Sequence, residues 1–233
     1  MTSIGEIRRE SLGEAVYARI SQDLVRGRLR AGEKVTIRGL AEALGTGTTP
    51  VRDAVMRLRQ DGALEQRSAR DVRVPVPTLA QYREIARIRI ELEGLAAGAA
   101  AERARPAHLA GLRRLIARNE AAIARADWPA AAECNQRFHF ALAEAAGMPT
   151  LLAILERLWL RMGPLLAGYY AASGREMTAH HHEVLAAVAR GDGAGARAGM
   201  ARDIAGPSEG IAAHIAALAP GADAHTMEEE RRG

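Results

Sequence analysis

The chain has 233 residues, of which 48% are hydrophobic, 26% charged and 3% aromatic, with a formal net charge of +4 and a single cysteine. That balance excludes wholesale disorder and a collagen-like chain, and Cys134 alone can neither close an internal disulfide nor build a thiolate zinc cage. No apolar run reaches the ~18–20 residues of a membrane span. The excess charge is uneven: residues 1–78 carry 14 Lys and Arg against 10 Asp and Glu, whereas residues 79–233 carry 18 against 18. A basic segment beside a neutral one points to a polyanionic partner for the first alone. The polar, charged N-terminus is not a secretory signal, so a cytoplasmic protein without a membrane partner is expected.

In chain order, Leu12, Val16, Ile20 and Leu24 recur every fourth residue, which predicts an amphipathic helix over 11–25 that ends at Gly27. A second helix fits 37–44, with Leu40, Ala41 and Leu44 on one face, and Gly45-Thr46-Gly47-Thr48 breaks its period. A third begins at Thr49-Pro50, where threonine serves as cap and proline as first helical residue. Val51, Val55 and Leu58 then face inward, Arg52 and Arg59 outward, and Gly62 closes the helix. Two β-type runs follow, 63–66 and 72–75, joined by a tip at 68–71 and carrying Arg67, Arg70 and Arg73. Three helices with a tight turn between the second and third, then a basic two-stranded hairpin, describe a winged helix-turn-helix whose third helix enters the major groove. The DNA-contacting candidates are Arg38, Thr48, Thr49, Arg52, Arg70 and Arg73.

Pro75-Val76-Pro77-Thr78 blocks helix and lacks apolar period. The expected organisation is therefore a winged helix-turn-helix domain over 1–75, a linker at 76–78, a helical domain over 79–219 and a flexible tail at 220–233. Helical period runs through 79–103, 106–125, 129–146, 149–171, 175–190 and 194–217. The fold class is mainly α, an N-terminal winged helix-turn-helix plus a C-terminal all-α bundle.

Several polar residues fall on the apolar stripes of that bundle. Asn135 and His139, one turn apart, project from the same face. Of His180, His181 and His182 only one can point inward, and His181 lies over the stripe of Val184, Leu185 and Val188. Asp203 shares a ridge with Met200, and Pro207 four residues on cannot donate to its carbonyl, so the last helix is kinked or broken there. Two imidazoles, an amide oxygen and a carboxylate from three helices suit a divalent metal ion such as zinc, nickel or manganese. Hydrogen-bonded core histidines with Asp203 on the surface fit the same spacing. Arg89, between Ile85 and Leu92, and Arg161, between Leu158 and Leu165, are expected to face the interior. A buried guanidinium needs an anion, either Glu93 one turn from Arg89 or a bound carboxylate effector.

The runs Gly27-Arg28-Leu29-Arg30-Ala31-Gly32-Glu33, Leu40-Ala41-Glu42-Ala43-Leu44-Gly45 and Thr49-Pro50-Val51-Arg52-Asp53-Ala54-Val55 resemble the GntR-type winged-helix regulators. Arg89-Ile90-Glu91-Leu92-Glu93, Asn135-Gln136-Arg137-Phe138-His139, and His181 with Ala187-Val188-Ala189-Arg190-Gly191-Asp192 resemble the FCD ligand-binding domain of the FadR subfamily. The likeness spans about residues 12–217. It implies a homodimeric bacterial transcription factor, usually a repressor, on a double-stranded DNA operator. A small organic acid effector in the helical domain would bias the separation of two winged helices lying in successive major grooves, most simply so as to release DNA. Family members commonly hold a metal with Asp or Asn, a histidine one turn later and two further histidines. Asn135, His139 and His181 match that pattern, and Asp203 stands at the fourth position. The recognition-helix start, usually Ser-Arg-Thr-Pro, here reads Gly47-Thr48-Thr49-Pro50, and Asp71 replaces the usual wing glycine, which sets a repelling carboxylate near phosphates. Two rival readings are a metal-dependent enzyme using His139, His181 and Asp203 and a regulator-like module without DNA binding.

Overall fold

The computed structural model describes residues 12–68, 71–173 and 176–218. Ser11, Arg70 and residues 220–233, each named in the expectations above, lie outside the described residues. Helix α1 (Leu12–Val25) buries Val16, Ile20, Leu24 and Val25. It ends at Gly27, whose φ of +68° is a left-handed conformation that glycine adopts without penalty. After strand β1 (Lys34–Val35), helix α2 (Ile37–Ala43) starts from Thr36, whose hydroxyl accepts from the Gly39 amide.

Helix α3 (Thr48–Gln60) starts two residues earlier than the threonine-cap reading placed it: Gly47 is the cap and Thr49 is already helical. The reason is local. Gly47 has the extended backbone an N-cap requires, and Pro50 then sits in the first turn, where amide hydrogens have no intrahelical acceptor and a missing one costs little. Strands β2 (Glu65–Ser68) and β3 (Asp71–Arg73) form the wing. The sheet has three strands in the order β1-β3-β2, with Lys34 opposite Arg73 and Val35 opposite Val72, so the two-stranded expectation is corrected. A two-residue strand is too short to leave an alternating pattern. Ala54, Leu58, Leu64 and Val74 close the small core around α1 and α3.

The bundle begins at Thr78, which makes a reciprocal capping box with Gln81 at the start of helix α4 (Leu79–Arg103). Helices α5 (Pro106–Ala124), α6 (Trp128–Ala145) and α7 (Pro149–Ser173) follow. The single helix expected over 175–190 is a short 3₁₀ turn (Glu176–Thr178) and then helix α8 (His181–Ala189). The last predicted helix is two, α9 (Gly193–Ala205) and α10 (Ser208–Leu218), parted at Gly206-Pro207, where the proline ring removes a helical donor. Trp159, Tyr170, Phe138, Leu142 and Leu155 fill the bundle core.

The two cores meet along α7. Leu160 belongs to the hydrophobic cluster of α1 and α3, and a Cβ added at Gly163 would stand 3.0 Å from the Cα of Val25. Arg26, just past α1, pairs with Glu133 of α6 at 2.6 Å. No helix among the described residues is long and apolar enough to cross a membrane.

Candidate functional site

Asn135 and His139 on α6, His181 on the first turn of α8 and Asp203 on α9 converge inside the bundle, each no more than 4% exposed. The helical period explains the convergence, since each helix turns its apolar stripe to the same axis and these side chains stand within the stripes. Asp203 Oδ2 lies 3.4 Å from His139 Nε2 and 3.6 Å from His181 Nε2. The donor atoms of the three residues all fall within 4.8 Å of one another. Asn135 Oδ1, Asp203 Oδ1 and both ring nitrogens of His181 have no hydrogen-bond partner. A buried polar atom left without a partner costs about 1–3 kcal/mol, and a cluster of such atoms from three helices is one that could hold a small cation. Phe138 stacks on the His181 ring at 4.0 Å between centroids and fixes its plane. Burial lowers the pKa of His181 against the pull of Asp203, which favours the neutral imidazole a metal needs. Burial alone would raise Asp203, but the neighbouring His181 and His139 outweigh it and hold the carboxyl below its usual range.

Behind His139 lies Glu93 of α4, wholly buried. Arg89 Nε donates to its Oε1 at 2.6 Å, and Trp159 Nε1 donates to the same oxygen at 3.2 Å. Oε2 stands 2.5 Å from His139 Nδ1, a contact that is an ion pair only when the imidazole is protonated. The Arg89 guanidinium also lies 4.2 Å over the Trp159 ring. Burial pushes the Glu93 carboxyl up, yet Arg89 and His139 more than reverse this and bring it down to about 2. Of the two anions considered for Arg89, the internal one is present. Sequence reasoning found Glu93 through its one-turn spacing from Arg89; its contacts with Trp159 and His139 join separate helices and leave no periodic signal.

Arg161 is corrected. It is exposed, and its Nε lies 3.2 Å from the position a Cβ at Gly62 would take, so it covers the winged-helix domain and does not face the bundle interior. Helix α7 is apolar almost all round, and period alone cannot tell its bundle face from the face that receives α1 and α3. Arg89, Asn135, His139 and Asp203 line a cavity closed by Met162, Met177 and Ile211 among others. It offers about 20 Å³, room for a water or an ion.

On the winged-helix domain, Thr48, Thr49 and Arg52 of α3 and Arg38 of α2 are exposed. Neither arginine has a carboxylate within ion-pairing distance among the described residues. The wing behaves differently. Asp71 is not a repelling charge on a free tip: it accepts from Arg73 Nε at 3.1 Å and lies 4.0 Å from Lys34 Nζ, while Arg67 pairs with Glu65 at 2.7 Å. Helix α3 is braced from α1, where Tyr17 donates to Asp61 Oδ2 at 2.7 Å and Arg57 lies 4.3 Å over the Tyr17 ring. Burial first, and then Asp61, push the Tyr17 hydroxyl up to about 12.

A winged helix presenting arginines from its second and third helices that have no ion-pair partner among the described residues, carried on a bundle with a polar cavity, defines the class of winged-helix transcription regulators. Residues 12–74 match the bacterial regulatory proteins of the gntR family, and residues 84–206 match the FCD domain. The chain is 35% identical over 201 residues to the HTH-type transcriptional regulator McbR of Escherichia coli K12, covering 84% of this chain and 91% of that protein. The structure of E. coli McbR/YncC superposes with a TM-score of 0.79 at 33% identity, over 90% of this chain and 100% of that one. A GntR-type putative regulator from Rhodococcus sp. RHA1 shares the fold, with a TM-score of 0.71 at 19% identity over 85% of this chain and 96% of that one. The protein belongs to the GntR family of bacterial transcription regulators and carries an FCD-type C-terminal domain. The families and relatives it matches are regulators, not enzymes.

Proposed function

We propose that the protein is a homodimeric repressor acting in the cytoplasm, whose grip on a pseudo-palindromic operator is loosened by a small organic acid bound in the helical domain. The division into a reader over 1–75, a link at 76–78 and a sensor over 79–219 belongs to this reading, and the two separate hydrophobic clusters support it. Thr48, Thr49, Arg52 and Arg38 are the groups that reach base edges and phosphates. The wing, with Arg73 and Arg67 already neutralised, contributes less.

The observation that carries the sensor half is the convergence of orphaned, buried donors on Asn135, His181 and Asp203 beside His139. Nitrogen and oxygen donors of this kind fit a divalent ion such as zinc, nickel or manganese. His139, His181 and Asp203 would hold it, with Asn135 beside them. When bound, the ion supplies a positive centre able to take an effector carboxylate oxygen. Glu93 compensates Arg89 and steadies the His139 ring, so His139 keeps its Nε2 side toward Asp203. Aspartate at the fourth position lowers the positive charge an anionic effector would meet, relative to a histidine there. Elemental analysis of purified wild type, His139→Ala and His181→Ala tests the metal reading: metal in the wild type alone is expected, and equal content in all three would remove it. Gel-shift titration on the promoter region beside its own gene, at several salt concentrations, tests the operator reading. Affinity should fall steeply with salt, and the absence of any salt-dependent shift would count against it.

A further inference from the structure

The cavity of about 20 Å³ has room for a water or an ion and not for an organic acid, so an organic acid enters only if a wall yields. Among the α-helices of the cavity wall, α10 has the least behind it. It packs chiefly on α7 and α4, whereas α9 is clasped between α4 and α8. It also follows the family's domain match, which stops at residue 206, at the break before Pro207. Its start closes the cavity: Ile211 and, just before the helix, Pro207 line it, and Tyr82 of α4 donates to Ser208 Oγ at 3.3 Å across the seam.

The other end of α10 reaches a second space. His214 and Leu218 line a cleft of about 480 Å³ that Ala167 and Gly168 of α7 and Arg26, Gly27, Arg30 and Ala31 of the reader line as well. An 11-residue helix is about 16 Å long, so a single element has one end on the sensor cavity and the other on a cleft that the reader also lines. There it meets the reader through α7: His214 packs on Gly168, and a Cβ at Gly27 would stand 2.7 Å from the Cβ of the adjacent Ala167. Its seating is tight between the two ends. A Cβ at Gly210 would collide with the Tyr169 hydroxyl, and one at Gly168 would stand 3.0 Å from His214 Nε2. A close-packed seat of this kind shifts as a body and does not absorb displacement locally.

We propose that α10 is the yielding wall of the effector cavity and that it carries its displacement to the reader at residues 26–31. The inference rests on the cavity being the effector site, and its test uses no effector, metal or DNA, so its failure would leave that reading standing. Ala86→Leu enlarges a wall residue shared by the cavity and the groove outside it and so overfills the space from the α4 side. Hydrogen exchange of the full chain, followed by mass spectrometry, reads where the strain goes. Amides of α10 should exchange at least about tenfold faster. The hydrogen-bonded amides of Arg26, Gly27 and Arg28 should follow, while residues 184–188 of α8 keep wild-type rates. Adding His214→Ala and Leu218→Ala should preserve the faster α10 and return residues 26–31 to wild type. Acceleration of α8 or α9 with α10 unchanged, acceleration everywhere alike, or a faster α10 with residues 26–31 unmoved would each overturn the proposal. If Ala86→Leu does not fold, Tyr82→Phe removes the bond to Ser208 without adding volume. It should speed exchange at the start of α10, and unchanged rates there would overturn the proposal equally.

Discussion

Arg89 and Arg52 are the same side chain in two settings. Arg89 lies inside the bundle with its guanidinium on Glu93 and over Trp159, and every charge near it is answered from within the chain. Arg52 stands on the exposed face of α3 with no carboxylate in reach among the described residues. The bundle uses charge to hold a precise interior and leaves a few donor atoms unanswered at a single point. The reader leaves the Arg38 and Arg52 guanidiniums without a carboxylate among the described residues, on an exposed surface. In the function proposed above, what is left unpaired marks what each part awaits: a small cation with its ligand in one, a polyanion in the other.

The contrast predicts which property each substitution damages. The largest effect is expected for Glu93→Gln, which strands the buried Arg89 guanidinium and should lower the unfolding free energy by about 3–5 kcal/mol in a denaturant titration. Arg52→Ala should leave that free energy unchanged and weaken operator binding by about 1–3 kcal/mol, read by fluorescence anisotropy on the same DNA. Tyr17→Phe removes the bond to Asp61 and should cost about 1 kcal/mol of stability. It also carries a pH signature. Because the folded state raises this hydroxyl from 10.0 to about 12, its contribution is complete below pH 10 and is lost as pH rises toward 12. The wild type should therefore lose part of its stability over that interval, and the phenylalanine variant should lack that part. Arg67→Ala is the smallest: its partner Glu65 is exposed, and a surface pair contributes about 0–1 kcal/mol.

Much of this division was legible in the sequence, and the misses have physical reasons. Four-residue spacing placed Asn135 and His139 on one face, and the stripe of Val184, Leu185 and Val188 selected His181 from three adjacent histidines. Pro207 announced the break that separates α9 from α10. Local period carries all of these. Arg161 went astray because α7 is apolar on both the side that meets the bundle and the side that meets the reader. β1 was missed because two residues hold no alternation, and with it the cross-strand setting that lets Asp71 face Lys34 and Arg73. The contacts of Glu93 with Trp159 and His139 depend on how helices cross, which spacing along one helix does not encode.

The most direct test of the account is selection of binding sites from a random duplex pool by wild-type protein and by Arg52→Ala, with both shown to be equally folded. The wild type should enrich a pseudo-palindrome with two half-sites about one helical turn apart, and Arg52→Ala should lose enrichment at a defined base pair in each half. A wild type that enriches no sequence, or a variant that enriches the same sequence as strongly, would contradict it.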